Sequence, residues 1–351
     1  MKLIEQAYKK ALKPLLFRFD PEEVHDLFVS LGEAFGRNKT GRQLIAAVYG
    51  YRGDDASRTV DGITYETPIV LAAGFDYNAR LTQILGSVGF GGVEVGSVTA
   101  YPCEGNDPPR LKRAIESKSL VVYKGLRNEG VDRIIERIQT RGVQEGLVLG
   151  VSIAMTNAES SATLEGAVSD YHTSFKKLND ANIGDYYTIN ISCPNVYGGE
   201  SFTDPDRLET LLTRLSEVDC KVPRYAKMPI SIEWSQFREL LDLLKQFEFD
   251  GAVIGNLQKD YDKIDVRSEA PEEYRGGLSG KPCRKRSTEL IAKTREYCGD
   301  DFTIMGCGGV LSPEDAIEKL DAGADLIQLI SGMIFEGPHL MRNISRAVAD
   351  Q

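Results

Sequence analysis

Long uninterrupted apolar stretches are absent from this 351-residue chain, so nothing in it reads as a transmembrane span. The N-terminus also lacks the apolar core of a secretory signal, because Glu5, Lys9, Lys10 and Lys13 break it up. Cysteine is sparse and irregular. The six, at 103, 193, 220, 283, 298 and 307, form no C-x-x-C pair. That spacing fits a reducing compartment and speaks against structural zinc or a cysteine-held iron–sulfur cluster. Three histidines are too few for a His-rich site, so no metal is expected. Basic excess is missing too. With 42 Lys and Arg against 52 Asp and Glu the net charge is −10, which excludes the basic face that a nucleic acid needs. What is left is ordinary: 42% apolar and 27% charged residues, a length that one α/β barrel routinely uses, and the profile of a cytoplasmic enzyme.

Two amphipathic segments open the chain. Leu3, Ile4, Ala7, Ala11, Leu12, Leu15 and Leu16 recur at near-helical spacing, with lysines between them. Asp20 caps a second helix begun by Pro21, whose apolar face carries Val24, Leu27, Phe28 and Leu31. Such helices either pack on the protein body or, being basic and amphipathic, rest on a lipid surface. The expected organisation is a helical cap over 1–36, a polar connector and hairpin over 37–67, and a barrel over 68–351. Asp61-Gly62 marks the hairpin turn within Arg58–Glu66.

From Pro68 onward short apolar runs alternate with helical patterns. The runs are Ile69–Ala73, Gly92–Thr99, Val148–Met155, Tyr187–Ser192, Tyr225–Ile230, Ala252–Asn256, Thr303–Cys307 and Leu326–Ile330. Between them lie helices such as Val131–Arg141, Asp206–Val218, Ser235–Phe247 and Pro313–Ala322. Continuous apolar runs are what strands buried on both faces require. Eight βα units predict a closed α/β (β/α)8 (TIM) barrel, with an open doubly wound sheet as the alternative.

In such a barrel the chemistry lies at the strand C-termini. Those ends read Ala72-Ala73-Gly74-Phe75-Asp76, Gly96-Ser97-Val98-Thr99, Asn190 to Asn195, Lys227, Gly255-Asn256, Gly306-Cys307-Gly308-Gly309 and Ser331-Gly332. Small and amide-bearing residues dominate where a random acidic surface would vary more. The last two loops suit a phosphate, since glycine lets the backbone approach an anion and a following helix aims its amides at it. Tight turning alone is the competing explanation. Gly277-Leu278-Ser279-Gly280-Lys281 resembles only half a P-loop and does not join a strand to a helix. Cys193 is either a small buried apolar residue or a general acid/base opening a lid. Lys227, mid-strand, needs an anionic partner if buried. His25 is open between a helix cap and a ligand or surface contact, and His172 and His339 give no signal.

These strand ends resemble those of the dihydroorotate dehydrogenases. The segments that carry the resemblance are Leu71–Asp76, Val93–Thr99, Gly105–Leu111, Ile189–Asn195, Gly276–Gly280, Gly306–Val310 and Ser331–Pro338, and it spans nearly the whole chain. Phe19-Asp20-Pro21-Glu22 with His25 is similar to the cap of the membrane-associated, quinone-using class 2. The resemblance implies FMN on Ala73, Gly74, Ser97, Asn190, Lys227, Asn256, Gly280, Gly309, Ser331 and Gly332, with Lys227 at the N1–C2 edge of the flavin. It implies Asn190, Asn195 and Asn256 on the substrate, dihydroorotate or a related ring. Cys193 would be the base taking a proton from C5 as hydride passes from C6 to flavin N5. A quinone would reoxidise the flavin, and residues 1–36 would touch the inner membrane peripherally.

The resemblance also has departures. Quinone-using members usually carry serine at the position of Cys193, and cysteine belongs to the soluble class. A family lysine is Tyr77 here, family asparagines are Val122 and Ser152, and a hydroxyl residue is Leu257. The positions of Tyr77, Val122 and Leu257 normally touch orotate, so the flavin half looks intact while the substrate half is altered. Four readings stand: a dihydroorotate dehydrogenase with an unusual pocket, a paralogue using the same chemistry on another substrate, a non-catalytic flavin protein, and a flavin-free binder of a phosphorylated metabolite.

Overall fold

The computed structural model describes residues 2–51, 53–192, 202–261 and 276–351. Its strands, in chain order, are β1 (Arg58–Val60), β2 (Ile63–Tyr65), β3 (Ile69–Leu71), β4 (Gly92–Val98), β5 (Leu111–Ala114), β6 (Ser119–Val122) and β7 (Val148–Ile153). They continue as β8 (Tyr186–Ile189), β9 (Arg224–Met228), β10 (Gly251–Ile254), β11 (Gly277–Leu278), β12 (Thr303–Cys307) and β13 (Leu326–Leu329). Eight of them close a parallel barrel in the order β3-β4-β7-β8-β9-β10-β12-β13. These are the eight apolar runs of the sequence, so closure, not an open sheet, is the outcome. Every residue of β3, β4, β7, β8, β10 and β13 is buried, which is why those runs do not alternate.

Side chains fill the barrel interior. Tyr65, Val70, Val148, Tyr186, Tyr225, Val253, Met305 and Leu326 form one buried cluster there. Gly150 makes room for Tyr186, since a Cβ at that position would lie 2.1 Å from its ring. The β1–β2 hairpin closes the N-terminal end of the barrel. Its turn residue Asp61 accepts hydrogen bonds from Tyr225 and Thr303, near the starts of β9 and β12. Positive φ at Asp61 (48°) and Gly62 (78°) gives the tight turn their pairing predicts.

Two features were not anticipated. The expected polar connector holds a helix, Lys39–Tyr49, capped by the Asn38 side chain. A second, antiparallel sheet of β5, β6 and β11 stands beside the barrel. Its strands are short, and β11 is only two residues long, so no periodicity announces it.

The cap lies over the C-terminal mouth of the barrel. Its first helical stretch, Lys2–Leu16, contains a π-helical turn at Tyr8–Leu12. It is held to the segment after β13 by Tyr8 donating to the Ile334 carbonyl (2.6 Å) and by the edge-on contact of Phe17 with Phe335. The second helix, Pro21–Gly36, is capped by Asp20 as expected. Glu33 anchors it, bonded to Arg37 just past its C-terminal end and to Arg80 and Arg141 of the barrel. Burial opposes ionisation of Glu33, but hydrogen bonds from Arg37 and Arg80 and the charges around it hold its carboxyl below the usual range. A carboxyl depressed by folding stabilises above its unfolded pKa and stops doing so as pH falls through the folded value. Glu33→Gln is therefore expected to speed amide exchange across 21–36 at neutral pH without altering the barrel strands. In the wild type, acid should produce the same selective loss of protection. Uniform exchange rates in wild type and variant would contradict the anchoring.

Candidate active site

The barrel interior changes character toward its C-terminal end. Below lie aromatic rings; above them comes a polar layer. Glu94 on β4 is fully buried, and its Oε2 accepts from Thr188 Oγ1 and Gln328 Nε2 at 2.8 Å each and from the Tyr186 hydroxyl at 3.5 Å. Since β4 pairs only with β3 and β7, these bonds from β8 and β13 cross the interior. Lys227 on β9 is also buried, with Nζ 4.0 Å from Glu94 Oε1.

Above this pair an amide and hydroxyl network lines the floor of the mouth. Ser97 and Ser152 meet at 2.8 Å, and Asn190 Nδ2 donates to Ser97 Oγ at 3.0 Å. Asn256 Nδ2 donates to Ser192 Oγ (2.8 Å) and to Asn190 Oδ1 (3.3 Å). Ser192 in turn donates to the Lys227 carbonyl, and the Tyr171 hydroxyl donates to that of Asn190. Each side chain is thus fixed before any ligand arrives, which is what a binding floor requires. Asp76, the one acid at these strand ends, does not face the mouth. Its carboxylate accepts the backbone amides of Arg80 and Leu81, and burial pushes it up to about 6.

Two adjoining cavities open over the floor. The larger, about 510 Å³, runs from the cap residues Leu12, Phe28 and Phe35 down to Ala73, Gly74, Ser97, Asn190, Lys227, Asn256 and Ser331. The smaller, about 100 Å³, continues from Ala73, Lys227, Asn256 and Ser331 to Gly280, Gly309 and Gly332. All ten positions expected to hold the cofactor line one or both. Gly308 and Gly309 take positive φ (113° and 75°), a backbone that glycine adopts without strain. Gly332 has a different reason to be glycine. A Cβ there would sit 2.1 Å from the Val310 carbonyl oxygen, so the loops after β12 and β13 can approach this closely only with glycine at this position. Only the last loop runs straight into a helix, Ser331–Glu336; the other passes through Ser312 before Pro313–Asp321 begins. Cys193 and Asn195 lie outside the described residues.

Three of the positions that depart from the family pattern, Tyr77, Val122 and Leu257, face the same space, while Ser152 lies buried beneath it against Ser97. Tyr77 stacks on His25 of the cap at 5.3 Å between centroids, and Lys124 Nζ lies 5.2 Å over the Tyr77 ring. His25 caps no helix; its Nε2 bonds the Phe75 carbonyl at 2.8 Å and ties the cap to the first barrel loop. Burial pushes the Tyr77 hydroxyl up to about 12 and pulls the Lys124 ammonium below the usual lysine range, against the attraction of Glu22 at 3.3 Å. Val122, Leu126 and Leu257 add apolar wall. Glu94 is the site residue that sequence reasoning passed over. Its signal was a lone acid between Val93 and Val95 in a buried run.

A closed βα barrel with a helical lid, an amide-lined mouth and a buried lysine beneath it defines a barrel enzyme of the small-molecule-binding kind. The family model for dihydroorotate dehydrogenase matches residues 56–351, and the chain belongs to that family. A protein from Christiangramia forsetii named dihydroorotate dehydrogenase (quinone) is 34% identical over 348 residues, 98% of this chain and 99% of that one. Another of the same name, from Thermosynechococcus vestitus, is 32% identical over 360 residues, covering 98% and 97%. A crystal structure of DHODH in complex with ferulenol from Eimeria tenella superposes with a TM-score of 0.79 at 24% identity, over 93% of this chain and 90% of that one, and shows the same fold.

Proposed function

We propose that the chain is an FMN-dependent dehydrogenase that removes two hydrogens across a C–C bond of dihydroorotate, or of a ring close to it, and delivers the electrons to a quinone. The observation that carries this reading is the cavity that joins the cap helices to Asn190, Lys227 and Asn256. One ligand can enter between the helices while another rests on the floor. The residues suit FMN. Lys227 gives the floor a cation beside an apolar cavity, Asn190 and Ser97 are oriented polar groups, and the glycine-lined smaller pocket has room and positive-φ backbone for a phosphate. Bound there, FMN would supply a two-electron acceptor whose reduced ring carries negative charge. Lys227 would stabilise that charge, and the amides of Asn190, Asn195 and Asn256 would orient the substrate ring. Cys193 would take the proton.

No helix among the described residues is long and apolar enough to cross a membrane. Leu12, Leu15, Phe19, Leu27, Phe28 and Leu31 nonetheless stand exposed on the cap, which supports peripheral contact with a lipid surface that would supply the quinone. One observation favours a second reading, a different substrate ring. The wall at Tyr77, Val122 and Leu257 is less polar than the family pattern, and orotate-like ligands need polar partners. The test is the visible spectrum of purified protein, then anaerobic bleaching with dihydroorotate and reoxidation by a quinone. A flavin spectrum bleached by dihydroorotate supports the first reading, and bleaching only by other dihydropyrimidines supports the second. A protein without flavin refutes both.

A further inference from the structure

We infer that Glu94 is a positioning residue for the redox chemistry: it sets the net charge that Lys227 presents to the flavin. The inference rests on the proposed seating of FMN over Lys227. Glu94 has no solvent exposure, and its two oxygens are used differently. Oε2 is held from across the barrel by Thr188, Gln328 and Tyr186. Oε1 makes no hydrogen bond among the described residues and lies 4.0 Å from the ammonium of Lys227. A buried oxygen left bare is costly, and so is a buried ammonium without counter-charge; each answers the other. Yet 4.0 Å is too long for a hydrogen bond. The charge of Lys227 is therefore partly compensated by Glu94 without a tether between them, and its donors remain available to the cavity it lines.

The consequence follows from electrostatics. At this separation and burial the carboxylate cancels part of the field of Lys227 at any group bound above it. With Glu94 neutral, the ammonium would act uncompensated and favour the more negative, reduced form of the flavin. The fixed hydrogen bonds to Oε2 hold the counter-charge at one depth, one layer below the floor. Such a position makes Glu94 a means of setting the potential, with no need to touch the cofactor.

The experiment measures the midpoint potential of bound flavin in purified holoprotein. Glu94→Gln is expected to raise it by about 30 mV or more, a tenfold change in a two-electron equilibrium, and Lys227→Gln to lower it. A potential unmoved by Glu94→Gln while Lys227→Gln lowers it overturns the role of Glu94. No response to Lys227→Gln overturns the seating of FMN and the inference with it. Should Glu94→Gln not yield folded holoprotein, Glu94→Asp keeps the charge but withdraws it by one methylene. It is expected to raise the potential by a smaller step, and the absence of any rise would count against the inference.

Discussion

Lys227→Met is expected to lower turnover by about 10²–10³-fold, the typical loss when one preorganised charge-stabilising donor is removed from a dry site. Lys227 is buried on β9, lines both cavities, and has Glu94 as its counter-charge. Methionine fills a similar volume but offers no donor, so the change removes charge more than packing. Stability should fall as well, by about 3–5 kcal/mol, because Glu94 would be left as a buried carboxylate with no opposing charge. Adding Glu94→Gln to Lys227→Met should restore most of that stability and none of the turnover. Thermal unfolding and steady-state rates on the two variants check both halves. A Lys227→Met protein that melts and turns over like the wild type would remove this lysine from the chemistry.

The second large effect is a gain. Converting Tyr77 to Lys, Val122 to Asn and Leu257 to Thr together returns three family groups to the wall of the mouth. Each polar partner regained by a buried ligand is worth about 1–3 kcal/mol, so affinity for orotate and kcat/KM for dihydroorotate should rise by roughly a hundredfold or more. The single Tyr77→Lys change should give less than its share. Lys124 Nζ already sits 5.2 Å over the ring at position 77, so a second ammonium there would meet a like charge. It would also break the stack on His25 that ties the cap to the barrel. Lys124→Met in the same background should recover the difference. If the triple variant gains nothing, these positions do not govern substrate choice. The different ring must then be read from the segment that holds Cys193 and Asn195.

Much of this protein was legible in one dimension. The eight strands follow from apolar runs that double-sided burial requires, and Val131–Arg141 begins and ends where its pattern does. Asp20 announced its helix by a local rule, since a cap needs only the amides two and three residues on. The helix Lys39–Tyr49 was hidden by its polar content, and β5, β6 and β11 by their length.

The sequence by itself determined the barrel, the cap and the set of strand ends from which a site could be built, because each depends on spacing between near neighbours. It also showed that Lys227 would need an anion, since burial makes any charge costly. Which anion is a matter of closure. Glu94 reaches Lys227 across the interior and is held by Gln328, 234 positions further along the chain. No periodicity encodes such a pairing, for it exists only once β13 meets β3 and the sheet becomes a ring. The stack of Tyr77 on His25 is of the same kind. Packing of the cap on the mouth decided that the position from which the family lysine is missing would become part of the wall between them.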